Sequence, residues 1–398
     1  MAHALPKDKR DPAGGGESGK GVEKFVTIAE HLQALVSGLG PRAAAGAGEE
    51  AIAEYVTGQC KALGLEAQRQ RFQAGGDLCL SYTILLALVP LAAAAFFARP
   101  GLGFTAALAA AFAYMLEGGT YPAVSRLLPK RPSVNVVAKA HARSKELRQI
   151  VFLARLAPAG AAAGFPPGPA ADARVNAILG AAAVIGPAVL YGAALLIPGA
   201  PRLLLWWLSL PFAAVSLAYA VLTFRLALGR KAPAAARDVS GLAALLETAK
   251  VISRAPLLTT SVWFVATGAG DAGPWGALHL FRQCGFDPAK TVAINLDAPS
   301  GGRLALTASE GLFPARRTDT ALVETLREAA RAKGIDLSPG PYHLPAMDAA
   351  VFLARKVPAA SLTGDARGIL AGGEIQAREE NILAARDLLL GLIRRIDG

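Results

Sequence analysis

The chain has 398 residues, of which 53% are hydrophobic and only 18% are charged. Soluble globular proteins carry about 25% charged residues, so this composition favours a membrane protein and excludes a disordered chain. The net charge of +11 with 7% aromatic residues does not indicate a nucleic-acid-binding protein, and three cysteines without a CxxC pair provide neither a disulfide framework nor a zinc knuckle.

Residues 1–20 are polar and rich in glycine and proline, which predicts a disordered tail and not a signal peptide. Four long apolar segments lie further along the chain, and about 20 uncharged residues suffice for a helix to cross a bilayer. Their bounds are Leu78–Ala98, Gly101–Leu116, Val175–Ile197 and Leu203–Phe224. Short connections pair them into two hairpins, at 78–124 and 175–224. A buried core helix is the alternative for each segment, above all for the short second one, which ends at Glu117.

Two hairpins place the remainder of the chain on one side of the membrane. Several cations lie near the helix ends on that side: Arg126, Lys130, Arg131, Arg174, Arg225, Arg230 and Lys231. Only Arg99 and Arg202 lie near the opposite ends. Positive residues favour the cytoplasmic side, so we expect a multi-pass integral membrane protein with a cytoplasmic soluble domain.

The soluble part consists of three pieces, 21–77, 125–174 and 225–398. Helical periodicity and stop signals predict helices over Glu49–Leu63, Ser240–Ser253, Pro274–Cys284, Thr320–Ala332 and Arg378–Ile396. Short apolar or β-branched runs predict strands over Asn135–Lys139, Gln149–Leu156, Thr259–Thr267 and Thr291–Leu296. Ser240 is interpreted as a helix N-cap. This alternation predicts an α/β fold with a mostly parallel, mixed sheet flanked by helices, in which the three pieces fold together.

The order of several segments carries a resemblance to a known family. The segments are HLQALVSGLGPR (31–42), GEEAIAEY (48–55), LGLEAQRQRF (63–72), NVVAK (135–139), IVFLARLA (150–157), DVSGLAALLE (238–247), VWFVATGAGDAG (262–273), INLDAPSG (294–301) and DAAVFLARKVPAASL (348–362). In this order they resemble the co-catalytic zinc aminopeptidases, the superfamily of aminopeptidase Y, glutaminyl cyclase and the transferrin receptor. The resemblance implies a zinc-exopeptidase fold with the two hairpins inserted, one after the N-terminal strand and one after the first metal strand.

The resemblance also implies a site of two zinc ions held by His, Asp, Glu, Asp and His, with a Glu as general base. The matching positions here are Arg155, Ala157, Arg237, Gly270, Asp271 and Asp297. Arginine replaces the first His and the bridging Asp, glycine replaces the base, Asp271 is a shortened Glu, and Asp297 is retained. No His follows residue 362. Because guanidinium stays protonated and cannot donate to zinc, the implied site is degenerate.

Several interpretations of these residues stay open. The arginines could form ion pairs with Asp271 and Asp297, or those two acids could still bind a metal. Asp271 and Asp297 together with Asp238 would form a carboxylate site suited to Mg²⁺ or Ca²⁺. His343 and Asp348 could line a residual pocket, although a surface-loop histidine without a role is the simpler interpretation of His343.

Two functions follow from the degenerate site. The first is a non-catalytic, membrane-anchored pseudoenzyme that needs no cofactor and binds an unknown peptide or protein partner. The second is an active membrane metallopeptidase with rearranged zinc ligands. A transporter is less favoured, since the four spans offer only one acid, Glu117.

Overall fold

The computed structural model describes residues 26–37, 47–156, 170–228, 239–270, 272–311, 313–338, 342–344, 348–364 and 378–397. Within these ranges, nine strands form one mixed sheet. They are β1 (Glu66–Ala74), β2 (Arg131–Ala140), β3 (Arg148–Arg155), β4 (Thr260–Thr267), β5 (Thr291–Asp297), β6 (Leu304–Glu310), β7 (Arg316–Arg317), β8 (Tyr342–Leu344) and β9 (Ala359–Gly364). The order is β1-β2-β4-β3-β5-β9-β6-β7, with β8 beside β6. Strands β4, β3, β5 and β9 are mutually parallel.

Helices cover both faces of this sheet. They are α1 (Ile28–Ser37), α2 (Ala47–Ala62), α3 (Leu78–Ala98), α4 (Pro100–Gly118), α5 (Ala170–Leu196), α6 (Arg202–Leu228), α7 (Ser240–Arg254), α8 (Trp275–Cys284), α9 (Thr320–Lys333), α10 (Asp348–Leu353) and α11 (Glu379–Asp397). Helices α1, α2, α7, α9 and α11 pack on one face, and α8 and α10 pack on the other. The α/β fold and the predicted helices are confirmed, with ends shifted by one or two residues, except that α5 begins five residues earlier and α6 ends four residues later than predicted.

Successive strand residues point to opposite faces, which explains the apolar runs in the sequence. Phe152 and Phe264 belong to the core beneath α7 and α11, whereas their neighbours Val151 and Val265 belong to the core beneath α8. Strands that are buried on both faces read as continuous apolar segments rather than alternating ones.

The four apolar helices α3–α6 form an antiparallel bundle with its own core. The Thr83 and Thr223 hydroxyls lie 2.9 Å apart near one end. Near the other end, Trp206 Nε1 donates to the carbonyl of Ala93 at 2.9 Å. All four helices are long and apolar enough to cross a membrane. The outside of the bundle exposes large apolar side chains, including Leu91, Phe97, Phe112, Val189, Leu203 and Leu217.

Both hairpins leave the sheet at one edge. Ala74 at the end of β1 pairs with Arg131 at the start of β2, and Arg155 at the end of β3 pairs with Thr267 at the end of β4. Because β2 runs antiparallel to β4, these residues all lie at the carboxyl edge of the parallel strands. The bundle therefore stands over that edge, where a Cβ on Gly118 would lie 2.4 Å from the Phe313 carbonyl oxygen.

Candidate functional site

A buried ion pair lies at the carboxyl edge. Arg155, the last residue of β3, is 8% exposed, and Asp348, the first residue of α10, is 1% exposed. The Nε atom of Arg155 lies 4.0 Å from Oδ2 of Asp348. The same carboxylate oxygen accepts a hydrogen bond of 2.5 Å from the Thr267 hydroxyl. The structure thus joins the first predicted metal position to a residue that the sequence assigned to a separate pocket.

Glu310, at the end of β6, is a second buried acid in this region. Burial raises the pKa of Glu310 to about 7, and the nearby charge of Asp297 raises it as well. Hydrogen bonds from Ser361 and Thr307 and the charge of Arg155 act in the opposite direction. Sequence reasoning missed Glu310, because it lies outside the segments that carry the resemblance. The only sequence feature that could have indicated Glu310 is its place as an acidic residue at the end of the segment LALTASE.

Asp297, which the sequence resemblance assigned to a retained ligand, ends β5 and is partly exposed. The next residue, Ala298, has a left-handed backbone with φ of +49°. The Ala298 carbonyl accepts amide hydrogen bonds from Gly301 at 3.0 Å and Gly364 at 3.2 Å. The loop after β5 is therefore fixed to the end of β9, and it holds Asp297 at the carboxyl edge.

The start of α7 lies directly against this loop. A Cβ on Gly241 would lie 2.4 Å from the Leu296 carbonyl oxygen, so only glycine permits this approach. The Ser240 hydroxyl accepts a hydrogen bond of 3.2 Å from the amide of Ser300. Ser240 is the first helical residue and Val239 occupies the N-cap position, so the predicted capping role of Ser240 is wrong. Its hydroxyl is directed to a neighbouring loop because this helix end is buried.

The loop after β4 contains Gly270, which the sequence resemblance assigned to the position of the general base. Its backbone is held by the buried carboxylate of Glu49, which accepts from the Ala269 amide at 2.8 Å and the Ser133 hydroxyl at 2.6 Å. The Asn135 side chain accepts from the amide of Gly268 at 3.0 Å. Gly270 follows and has no side chain that could take a proton from water.

The remaining predicted site residues are only partly located. Arg237, Asp238 and Asp271 lie outside the described residues. His343 lies in the short strand β8, where its backbone pairs beside Ser309 of β6, and not in a loop as the sequence suggested.

Known structures share this architecture. A zinc-dependent exopeptidase from Parabacteroides distasonis matches with a TM-score of 0.53 and 12% identity over 92% of this chain and 98% of its own. A leucine aminopeptidase precursor from Bacteroides thetaiotaomicron matches with a TM-score of 0.51 and 12% identity, over 92% and 95% of the two chains. A glutaminyl cyclase from Porphyromonas gingivalis matches with a TM-score of 0.50 and 11% identity, over 93% and 96%. The family model of Peptidase family M28 matches residues 223–380.

The chain has the fold of the co-catalytic zinc aminopeptidase superfamily. The predicted resemblance is confirmed for the fold, and over residues 223–380 also for the sequence. A search among curated proteins finds no match.

The described residues do not fit the dinuclear zinc centre of this superfamily. Within the described part of the chain, no three His, Cys, Asp or Glu side chains are grouped so that they could hold a metal ion. Arg155 lies at the position that the sequence resemblance assigned to the first ligand, and its guanidinium cannot donate an electron pair to zinc. The side chain supplies a fixed positive charge beside Asp348. The arrangement can neutralise buried carboxylates. Gly270 has no side chain that could activate a water molecule.

Proposed function

We propose that this protein is a multi-pass membrane protein whose peptidase-fold domain is non-catalytic and acts by binding a peptide or protein partner. The position of Arg155 carries this proposal. A buried guanidinium, 4.0 Å from a buried carboxylate, supplies a positive charge at the position that the resemblance assigns to the first ligand. A second cation in the same space would be repelled by it.

The loop after β4 gives independent support. Loss of a positioned general base typically lowers a rate by about 10²–10⁴-fold, and Gly270 offers no replacement. The loop is nevertheless held rigidly, since Glu49 and Asn135 bind its amides from buried positions. A carboxyl edge whose loops are fixed by the protein itself is a preformed surface, suited to binding without hydrolysis.

The four-helix bundle supports the membrane part of the proposal. Large apolar patches on a soluble monomer are unfavourable, and the outer surface of α3–α6 carries many exposed leucine and phenylalanine side chains. We propose that these helices cross the bilayer. The cytoplasmic orientation of the sheet rests on the distribution of cations and stays a prediction.

Metal content and hydrolysis test the non-catalytic proposal. We expect the purified full chain to hold far less than one zinc per molecule. We also expect it to leave aminoacyl p-nitroanilides and short peptides intact when Zn²⁺, Mn²⁺, Co²⁺ or Mg²⁺ is added. Two tightly held zinc ions, or chelator-sensitive turnover that disappears in Asp297→Ala, would establish the rearranged metallopeptidase instead.

Site-specific photo-crosslinking in native membranes tests the binding part. A photoreactive residue replaces Asp297, which is partly exposed at the carboxyl edge, and in a control chain it replaces Asp287, which precedes β5 at the opposite edge. We expect a discrete polypeptide adduct at position 297 and none at position 287. Identical patterns at both positions, or no adduct at either, would contradict a partner at the carboxyl edge.

A further inference from the structure

The segment between α4 and β2 contains a turn that is fixed by one buried carboxylate. Glu117 is 7% exposed, and its Oε2 atom accepts from the amides of Ala123 at 2.8 Å, Val124 at 2.9 Å and Ser125 at 3.4 Å. The three amides belong to the residues that lead into a 3₁₀ helix, Ser125–Leu127. An acid at the end of an apolar helix is thus used to shape the turn that follows it.

The inner side of this turn is tightly packed. The Ser125 carbonyl accepts a hydrogen bond of 3.1 Å from the amide of Gly76. A Cβ on Gly75 would lie 2.2 Å from the Trp275 ring, and a Cβ on Gly76 would lie 2.4 Å from Cβ of Leu128. The turn therefore has little freedom to rotate.

The outer side combines an exposed leucine with cations. Leu127 is 76% exposed, more than any other large apolar residue in the described part of the chain. Arg126, Lys130 and Arg131, all within four residues of Leu127 in sequence, are exposed as well. No ion pair joins these three cations to another described residue. An apolar side chain flanked by cations matches a layer of lipid headgroups above acyl chains.

The bundle sets the height of this turn relative to the membrane. The turn comes directly after α4, at the end of the bundle where α3 begins and α6 ends. If the helices cross a bilayer, this end lies at the interface between headgroups and acyl chains. The last turn of α6 adds the exposed cation Arg225 at the same end.

We propose that residues 125–131 form a binding site for anionic phospholipids. Leu127 inserts at the level of the first acyl carbons, while Arg126, Lys130 and Arg131 bind the lipid phosphate and headgroup. The site rests on the membrane-spanning part of the proposed function and is independent of catalysis and of the protein partner. Each cation near an anionic surface contributes on the order of a five-fold gain in affinity.

Native mass spectrometry of the full chain in detergent, with equal amounts of phosphatidylglycerol and phosphatidylcholine, measures this preference. We expect phosphatidylglycerol to be retained over phosphatidylcholine by at least about ten-fold. A triple variant, Arg126→Gln, Lys130→Gln and Arg131→Gln, should lose most of that preference. Leu127→Ser should weaken the binding of both lipids.

The loop between β2 and β3 offers a matched control, because it lies at the opposite end of the sheet and exposes the same types of side chain. The control variants are Arg143→Gln with Lys145→Gln and Arg148→Gln, and separately Leu147→Ser, whose leucine is 50% exposed. We expect both to bind lipid like the unaltered chain. An equal loss in the control and test triple variants, or no phosphatidylglycerol preference in the unaltered chain, would overturn the site.

Two further measurements separate the alternatives. Excess inorganic phosphate should leave the lipid bound, and its displacement of phosphatidylglycerol would overturn the lipid assignment in favour of a simple anion site. Carbonate extraction of native membranes tests the spanning helices alone. Release of the chain by carbonate would contradict the proposed function, whereas retention without a lipid preference would contradict only the site at residues 125–131.

Discussion

Replacing Arg155 with methionine is expected to destabilise the protein strongly. The side chains of Arg155 and Asp348 are 7% and 2% exposed, so neither charge is solvated by water. Without the guanidinium, the Asp348 carboxylate still accepts the hydrogen bond from the Thr267 hydroxyl, but the Arg155 cation no longer compensates its charge. Removal of one member of a buried ion pair typically costs about 3–5 kcal/mol, since the other charge stays buried. Methionine retains most of the side-chain volume, so the loss reports mainly on charge.

A double-mutant cycle in detergent, followed by urea unfolding, measures this effect. Asp348→Asn should restore part of the stability lost in Arg155→Met, because it removes the uncompensated charge. The exposed pair Arg331–Glu324 is the control, and Arg331→Met should lower the free energy of unfolding by less than about 1 kcal/mol. If Arg155→Met were as mild as Arg331→Met, the idea that guanidinium replaces the metal charge would be refuted.

Three other changes follow from the packing and the pKa shifts. Gly241→Ala should lower the free energy of unfolding by about 1–3 kcal/mol, because its Cβ would lie 2.4 Å from a carbonyl oxygen. Gly58→Ala has open space around it and should raise the free energy of unfolding by about 0.5–1 kcal/mol. Chemical unfolding of the two variants measures both effects. Glu49→Ala leaves the buried Ala269 amide without its acceptor and should lower the free energy of unfolding by about 1–3 kcal/mol, with faster hydrogen exchange of that amide. Burial, followed by the charge of Lys250, lowers the pKa of His31 to about 4, so the unfolded chain binds a proton at a higher pH than the folded chain does. The free energy of unfolding should therefore fall by at most about 3 kcal/mol between pH 6.5 and pH 4. His31→Gln should flatten that part of the profile of stability against pH.

The sequence was sufficient to predict the helices and strands of the sheet domain and the apolar helices of the bundle, for physical reasons. Strands β3, β4 and β5 are buried on both faces and appear as apolar runs. Gly285 and Gly334 have left-handed backbones and end α8 and α9, where a glycine was expected to end each helix. The four long apolar helices were predictable because an uncharged apolar length of about 20 residues is typical of a helix that can cross a bilayer.

The contacts of the site were not predictable in the same way. Which polar residues meet at the carboxyl edge depends on the order of β4, β3, β5 and β9, and nothing local encodes that order. One open interpretation paired the arginines with Asp271 and Asp297. The ion pair that the structure describes for Arg155 is with Asp348, at the start of α10, and Asp271 lies outside the described residues. Ser240 looked like an N-cap because a serine before an apolar helix usually is one, and only the closeness of the loop after β5 changes its role.

The strand order also has a consequence for how the chain is made. Strand β3 is flanked by β4 and β5, and both are encoded after the second hairpin. A growing chain emerges from the ribosome in order, so β2 and β3 exist before the strands that will shield them. The second hairpin is synthesised during that interval, and the first hairpin precedes β2. Strand β3 therefore gains both of its neighbours only after all four apolar helices have been synthesised, so the centre of the sheet is completed after the helices of the bundle are available.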